Sequence, residues 1–284
     1  MQTFYNQAIL SHNNVVRTSN IVTGIIASPI TVEKNATKAS YTHGDEITYV
    51  VSIVNSDSTA LTAVKVSDDL GAYSFGGSTV IPLEYVENSV LYYVNGILQS
   101  TPSVTTNQGL EIGGIFIPAG GNAIIIYTVT VDSYAPLGDV ASITNTATIS
   151  GDTIIDPISV TNTIFASIAA DLAISKSLSP AVIYNNRELT YTLTLQNYGA
   201  SAVVATEDAV VTDTFNPILN NLLVSFNDTP WALSVNYTYD NSTGAFATLP
   251  GSITVPGAIY SQDPGTGLWT VTPGISVITV SGTI

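Results

Sequence analysis

Glu46-Ile-Thr-Tyr-Val-Val-Ser-Ile-Val-Asn55 alternates over ten positions and sets Ile47, Tyr49, Val51 and Ile53 on one face. A period of two is that of a strand half buried against a core. Glu188-Leu-Thr-Tyr-Thr-Leu-Thr-Leu-Gln-Asn197 repeats the pattern. Asn20, Lys34, Tyr49 and Asn55 meet Asn162, Lys176, Tyr191 and Asn197 at one constant spacing of 142 residues, half the chain. Such a tandem repeat means two domains of one fold. Val210-Val-Thr-Asp213 answers Lys65-Val-Ser-Asp68, and residues 277–284 answer 124–131. About seven short strands per repeat, parted by Gly-, Pro- and Asn-rich turns, predict an all-β chain of two tandem immunoglobulin-like β-sandwiches.

The repeat is permuted. Ile143-Thr-Asn-Thr-Ala-Thr-Ile149 closes the first copy, and the second copy reaches Ile284 without an equivalent. The matching pattern stands at the N-terminus, with Phe4, Asn6, Ala8 and Leu10 falling on Ile143, Asn145, Ala147 and Ile149. The expected division is residues 1–22 as an N-terminal donor strand or hairpin turning at His12-Asn13-Asn14, 23–164 as the first sandwich, and 165–284 as a second sandwich lacking its last strand. The missing strand is expected from the N-terminus of a neighbouring chain.

The 284 residues are 45% hydrophobic and 10% charged, with 21 Gly and 13 Pro, which suits short strands and many turns. A net charge of −15 argues against nucleic acid and anionic membranes as partners. Without cysteine there is no disulfide, thiolate metal site or thiol nucleophile. His12 and His43 are the only histidines, so a histidine-based metal site or catalytic triad is not expected. No cofactor is expected. No segment reads as a membrane span, and the absence of a leader-like start leaves two readings: a leader already removed, or export by another route.

Gly44-Asp-Glu-Ile-Thr-Tyr-Val-Val-Ser-Ile-Val-Asn55, then Val66-Ser-Asp68 and Thr144-Asn-Thr-Ala-Thr148, resembles the immunoglobulin-like repeat of bacterial and archaeal cell-surface proteins. The resemblance covers nearly the whole chain twice. It departs at Asn185-Asn186-Arg187-Glu188, where Gly-Asp is lost, and in the second copy's missing Asn-Thr-Ala strand. It implies an extracellular protein at a cell or spore surface.

Two of only four lysines, Lys34 and Lys176, occupy equivalent strands and share parity with Ile30 and Val32 or Leu172 and Ile174. Asp68 is in phase with Val64 and Val66, Asp213 with Val211 and Phe215, and Asn145 with Ile143 and Ala147. All are expected to face inward, although burying an unpaired ammonium costs several kcal/mol. One reading is a Lys–Asp ion pair with Asn satisfying the remaining hydrogen bonds. The other is an isopeptide bond, in which a desolvated, neutral lysine attacks the asparagine amide while a protonated aspartic acid polarises it. The layout of Lys in the first strand, acid in a middle one and Asn in the last resembles self-crosslinking pilin and adhesin domains. Those more often use Glu, so Asp is a departure. The expected pairs are Lys34 with Asn145 within one chain, assisted by Asp68, and Lys176 with Asn6 of the next chain, assisted by Asp213.

Weaker signals have plainer alternatives. Asp68-Asp69 and Glu207-Asp208 lack the regular ligand spacing of a calcium loop and read as solvated acids. Trp231 and Trp269 suit packing as well as a glycan surface. Asn35-Ala-Thr37, Asn227-Asp-Thr229 and Asn236-Tyr-Thr238 match the glycosylation sequon. The leading expectation is a structural subunit assembling head to tail with copies of itself into an extracellular fibre. The alternative is a monomeric surface adhesin or ligand-binding module. A conventional enzyme is not expected, for want of a nucleophile–base pair.

Overall fold

The computed structural model describes residues 2–26, 29–182 and 187–284. The chain is all-β, two tandem immunoglobulin-like sandwiches preceded by a hairpin, and among the described residues the sole helical element is one three-residue turn at Ala205–Glu207.

In the first domain one sheet runs Ile97–Leu98, Leu91–Val94, Asn122–Val131, Glu46–Asn55, Ile30–Ala36. The facing sheet runs Ser103–Thr105, Leu110–Ile117, Leu61–Asp68, Ser142–Gly151, Ile154–Ala166, Ser40–Tyr41. The period-two pattern does what it promises: Ile47, Tyr49, Val51 and Ile53 are all fully buried, as are Ile125, Tyr127 and Val129 opposite them. On the outward face of the closing hairpin, threonine and serine pair across strands, Thr144 with Thr163 and Thr148 with Ser159. Turn chemistry is equally local. Asn95-Gly96 takes φ values of 48° and 79° between Leu91–Val94 and Ile97–Leu98, the left-handed pair that a two-residue hairpin turn needs.

Asn55 and Asn197 end the repeated strands, and both are buried. The amide of Asn55 donates to the carbonyls of Thr59 and Pro118, and that of Asn197 to Ser201 and Pro256. This asparagine ties two loops to the end of its strand, which explains why both copies keep it.

The second domain has the same first sheet: Leu172–Ser179, Glu188–Asn197, Gly274–Thr283, Asn220–Phe226, Thr229–Trp231. Its facing sheet is reduced to Thr212–Thr214, Ala245–Thr248 and Tyr237–Asp240. Thr212–Thr214, the counterpart of Leu61–Asp68, pairs with Ala245–Thr248 on one edge only, and no described strand pairs with its other edge. A hairpin from this domain, Ile259–Gln262 with Trp269–Thr272, lies against the first: the Trp269 backbone N–H donates to the Ser133 carbonyl, and the Gln262 side-chain amide to the Tyr73 hydroxyl.

The N-terminal hairpin stands apart from both sandwiches. Ile9–His12 pairs with Val15–Thr18 around Asn13-Asn14, whose φ values of 48° and 62° again make a left-handed turn. Gln2–Asn6 pairs with Val22–Ile26, so the hairpin runs beyond residue 22. Between these ladders Gln7 and Ala8 face Ser19, Asn20 and Ile21, which puts one extra residue on the return strand. Phe4, Tyr5, Ile9, Leu10, Val15, Val16 and Val22 are all exposed.

Candidate functional site

Lys34 stands on the edge strand of one sheet and Asp68 at the end of a central strand of the other, so the pair spans the sandwich. Both side chains are wholly inaccessible, which overturns the reading of Asp68 as a solvated acid, and Nζ lies 2.6 Å from Oδ2. The second carboxylate oxygen accepts the Leu70 N–H at 2.9 Å, and the Tyr127 hydroxyl donates to Oδ2. Nζ sits 4.7 Å from the centre of the Tyr49 ring. Tyr49 and Tyr127 are direct partners across the ladder, stacked with centroids 5.7 Å apart.

Asn145 completes the cluster. Asp68 pairs with Ala147, two residues along the same face, which makes Asn145 its diagonal neighbour. Asn145 is fully buried and within reach of both phenols, yet neither of its amide atoms has a hydrogen-bond partner among the described residues. The Tyr49 hydroxyl and the Asn162 carbonyl oxygen are unpartnered too. Buried groups left this way cost on the order of 1–3 kcal/mol each. The ion pair and the orphaned amide thus lie side by side.

Burial drives the electrostatics. Desolvation pulls the Lys34 amine below its ordinary value, while the Asp68 and Asp69 charges pull the other way without overcoming it. Desolvation also holds the Tyr49 and Tyr127 hydroxyls in their protonated form, the Asn145 amide opposing it and Asp68 adding to it at both. The Tyr127 phenol is therefore a donor to Asp68, and Lys34 loses its proton more readily than a lysine in water.

In the second domain, Lys176 Nζ lies 2.5 Å from Asp213 Oδ2 and 4.3 Å from the centre of the Tyr191 ring. The expected burial is not there: the side chains are 38% and 18% exposed, and Leu172–Ser179 is open along its length. The reason is the facing sheet, which stops at Thr212–Thr214. Between them runs an apolar trough of about 300 Å³, lined by residues such as Leu172, Ile174, Val211 and Val255. Asn6 is exposed and its strand pairs only with Val22–Ile26, so the structure of one chain does not bring Asn6 to Lys176. Phe4, Ala8 and Leu10 are likewise exposed in the hairpin.

Sequence reading set Tyr49 on the inward face without placing it beside Lys34, and it missed Tyr127. The signal was there for Tyr127, which is in phase with Ile125 and Val129 and lies across the ladder from Tyr49. Val280 holds the equivalent place in the second domain, opposite Tyr191. Of the weaker signals, Trp231 stacks on Phe226 with centroids 5.0 Å apart, and Asn227 and Asn236 spend their side chains on neighbouring backbone and on Ser276. Among the described residues no cluster of His, Cys, Asp and Glu is arranged to hold a metal ion. No described helix is long and apolar enough to cross a membrane.

No protein-family model matches the sequence, and no curated protein matches it. Solved structures give distant matches. The pilus backbone protein RrgB of Streptococcus pneumoniae is 10% identical with a TM-score of 0.36; the match covers 87% of this chain and 55% of that one. The 35 kDa C-terminal fragment of the major pilin GBS80 of Streptococcus agalactiae is 11% identical with a TM-score of 0.35, covering 87% and 91%. A family 123 glycoside hydrolase from Clostridium perfringens is 9% identical with a TM-score of 0.31, covering 49% of this chain and about a quarter of its own, 27%. An enzyme stands in the set beside pilins.

Proposed function

We propose that this protein is the structural subunit of an extracellular fibre at a cell or spore surface, assembling head to tail as each chain's N-terminal strand enters its neighbour's second domain. The observation that carries this reading is the trough. In the first domain, Leu61–Asp68 has Ser142–Gly151 along the edge that Thr212–Thr214 leaves unpaired. An unpaired edge beside exposed apolar side chains invites a further strand. The N-terminal strand has the pattern of Ser142–Gly151 and is itself unburied. A contact between different surfaces of identical chains propagates into a filament unless it closes a ring.

The Lys34 cluster is suited to an autocatalytic amide bond. Lys34 passes its extra proton to the Asp68 carboxylate and becomes a neutral amine. Nζ attacks Cγ of Asn145 while the protonated Asp68 donates toward the amide oxygen. The C–N bond of the asparagine amide then breaks, and its nitrogen leaves as ammonia with a proton from Nζ. Asp68 passes its borrowed proton to the ammonia, which departs as ammonium, and returns to a carboxylate. The orphaned amide of Asn145 supports this reading over a resting ion pair, since the reaction removes its unpartnered NH2 group. Lys176 and Asp213 are positioned for the same chemistry, with Asn6 of the next chain as acceptor.

Negative-stain electron microscopy of the purified full chain, beside a variant lacking residues 1–10, tests the assembly. Fibres are expected from the full chain and folded, unpolymerised protein from the variant. Fibres formed without residues 1–10 would rule out strand donation.

A further inference from the structure

The first domain closes with two strands, not one. Ser142–Gly151 lies against Leu61–Asp68, and Ile154–Ala166 covers its outer side with Ile143 opposite Ile164 and Asn145 opposite Asn162. Ile143 and Ile164 are both buried, so each strand of this hairpin supplies core. The repeat carries Ile164 and Asn162 back to Val22 and Asn20, as it carries Ile143 and Asn145 back to Phe4 and Asn6. The N-terminal residues form the same kind of object, an antiparallel hairpin with Phe4 opposite Gly24 and Asn6 opposite Val22. Phe4 and Val22 share one face and are 48% and 54% exposed. Both strands therefore present apolar side chains on the face that carries Asn6.

We infer that the occupant of the second domain's trough is this whole hairpin of a second copy, with Val22 and Asn20 standing where Ile164 and Asn162 stand in the first domain. The inference rests on the strand-donation reading above and adds the second strand to it. It makes the junction between successive subunits a copy of the junction inside each chain. Ile154–Ala166 leads into Leu172–Ser179 as Val22–Ile26 leads into Ile30–Ala36. The two hairpins differ in register: the free one sets Asn6 against Val22, where the first domain's pattern sets Asn6 against Asn20. A shift of two residues keeps every side chain on its face, so Val22 points into the trough in either register and Thr23, opposite Tyr5, points out.

Three single variants of the full chain test this, with pelletable polymer as the readout: Phe4→Asp, Val22→Asp and Thr23→Asp. All three positions lie on the solvent-exposed hairpin, so each variant retains both folded domains. A carboxylate forced into an apolar trough costs enough to cut the polymer by on the order of ten-fold or more. That loss is expected for Phe4→Asp and Val22→Asp, with Thr23→Asp assembling like the parent. If Phe4→Asp alone blocks assembly, one strand is donated and the hairpin inference is overturned while strand donation stands. If Val22→Asp and Thr23→Asp block it equally, the effect does not depend on face and the inference also falls. If Phe4→Asp polymerises normally, strand donation itself is wrong and the trough is covered by something else.

Discussion

Tyr127 lies directly across the ladder from Tyr49 and donates its hydroxyl hydrogen bond to Asp68, whereas in the second domain Val280 stands across from Tyr191. The two repeats therefore hold the same Lys–Asp pair in different settings. One is sealed and has a phenol on the carboxylate; the other is open and lacks it. By the chemistry proposed above, the sealed cluster would react as soon as its domain folds. The open one is dry only when something fills the trough.

Tyr127→Phe removes the donor while keeping the ring. A buried hydrogen bond to a charged group contributes roughly 1.5–3 kcal/mol, so Tm of the first domain should fall by several degrees. Intact mass measured over time after folding should show slower loss of ammonia than in the parent. An unchanged rate would reduce Tyr127 to a packing residue.

Asp68→Ala leaves Lys34 buried without its partner, a change that costs about 3–5 kcal/mol when one member of a buried pair is removed. The variant should keep the full sequence mass, and digestion should release a free Lys34 amine. The parent should lack one ammonia, with residues 34 and 145 recovered in a single crosslinked peptide. Full sequence mass in the folded parent would make the cluster an ion pair.

Asn145→Ala keeps the ion pair and forbids the bond. Its Lys34 titrates, with a folded value below the ordinary 10.5 because burial disfavours the ammonium. Between those two values the unfolded chain holds a proton that the folded chain has released, so stability from this group rises with pH across that window. In the crosslinked parent proposed above the nitrogen is an amide and does not titrate, while Tyr49 and Tyr127 are common to both proteins. The gap in denaturation midpoint between parent and variant should therefore narrow as pH climbs toward the lysine range. A gap independent of pH would contradict a depressed Lys34.

Asn6→Ala should separate assembly from crosslinking. The donated strand keeps Phe4, Ala8 and Leu10, and the two large apolar side chains supply about 3–6 kcal/mol on burial, so fibres should form. Boiling in detergent should reduce these fibres to monomers and leave parental fibres as ladders on a gel. Ladders that persist in the variant would exclude Asn6 as the acceptor, and parental fibres that dissolve would exclude the bond.

The sequence by itself determined the strands, because burial in a sandwich follows side-chain parity and parity is written residue by residue. Glu46–Asn55 and its copy at Glu188–Asn197 are legible for that reason, as are the turns at Asn13-Asn14 and Asn95-Gly96, where the left-handed backbone selects asparagine and glycine. It also named Lys34, Asp68 and Asn145 as inward, since each is in phase with apolar neighbours. Parity says which side a residue faces and nothing about what lies there. Only the tertiary structure decided that Lys34 is sealed while Lys176, of the same parity, is open, because the difference is a strand supplied by residues over a hundred positions away. The part of Tyr127 was hidden for the same reason: a tyrosine among Ile125 and Val129 reads as core, and its hydroxyl gains a partner only when two sheets close on Asp68.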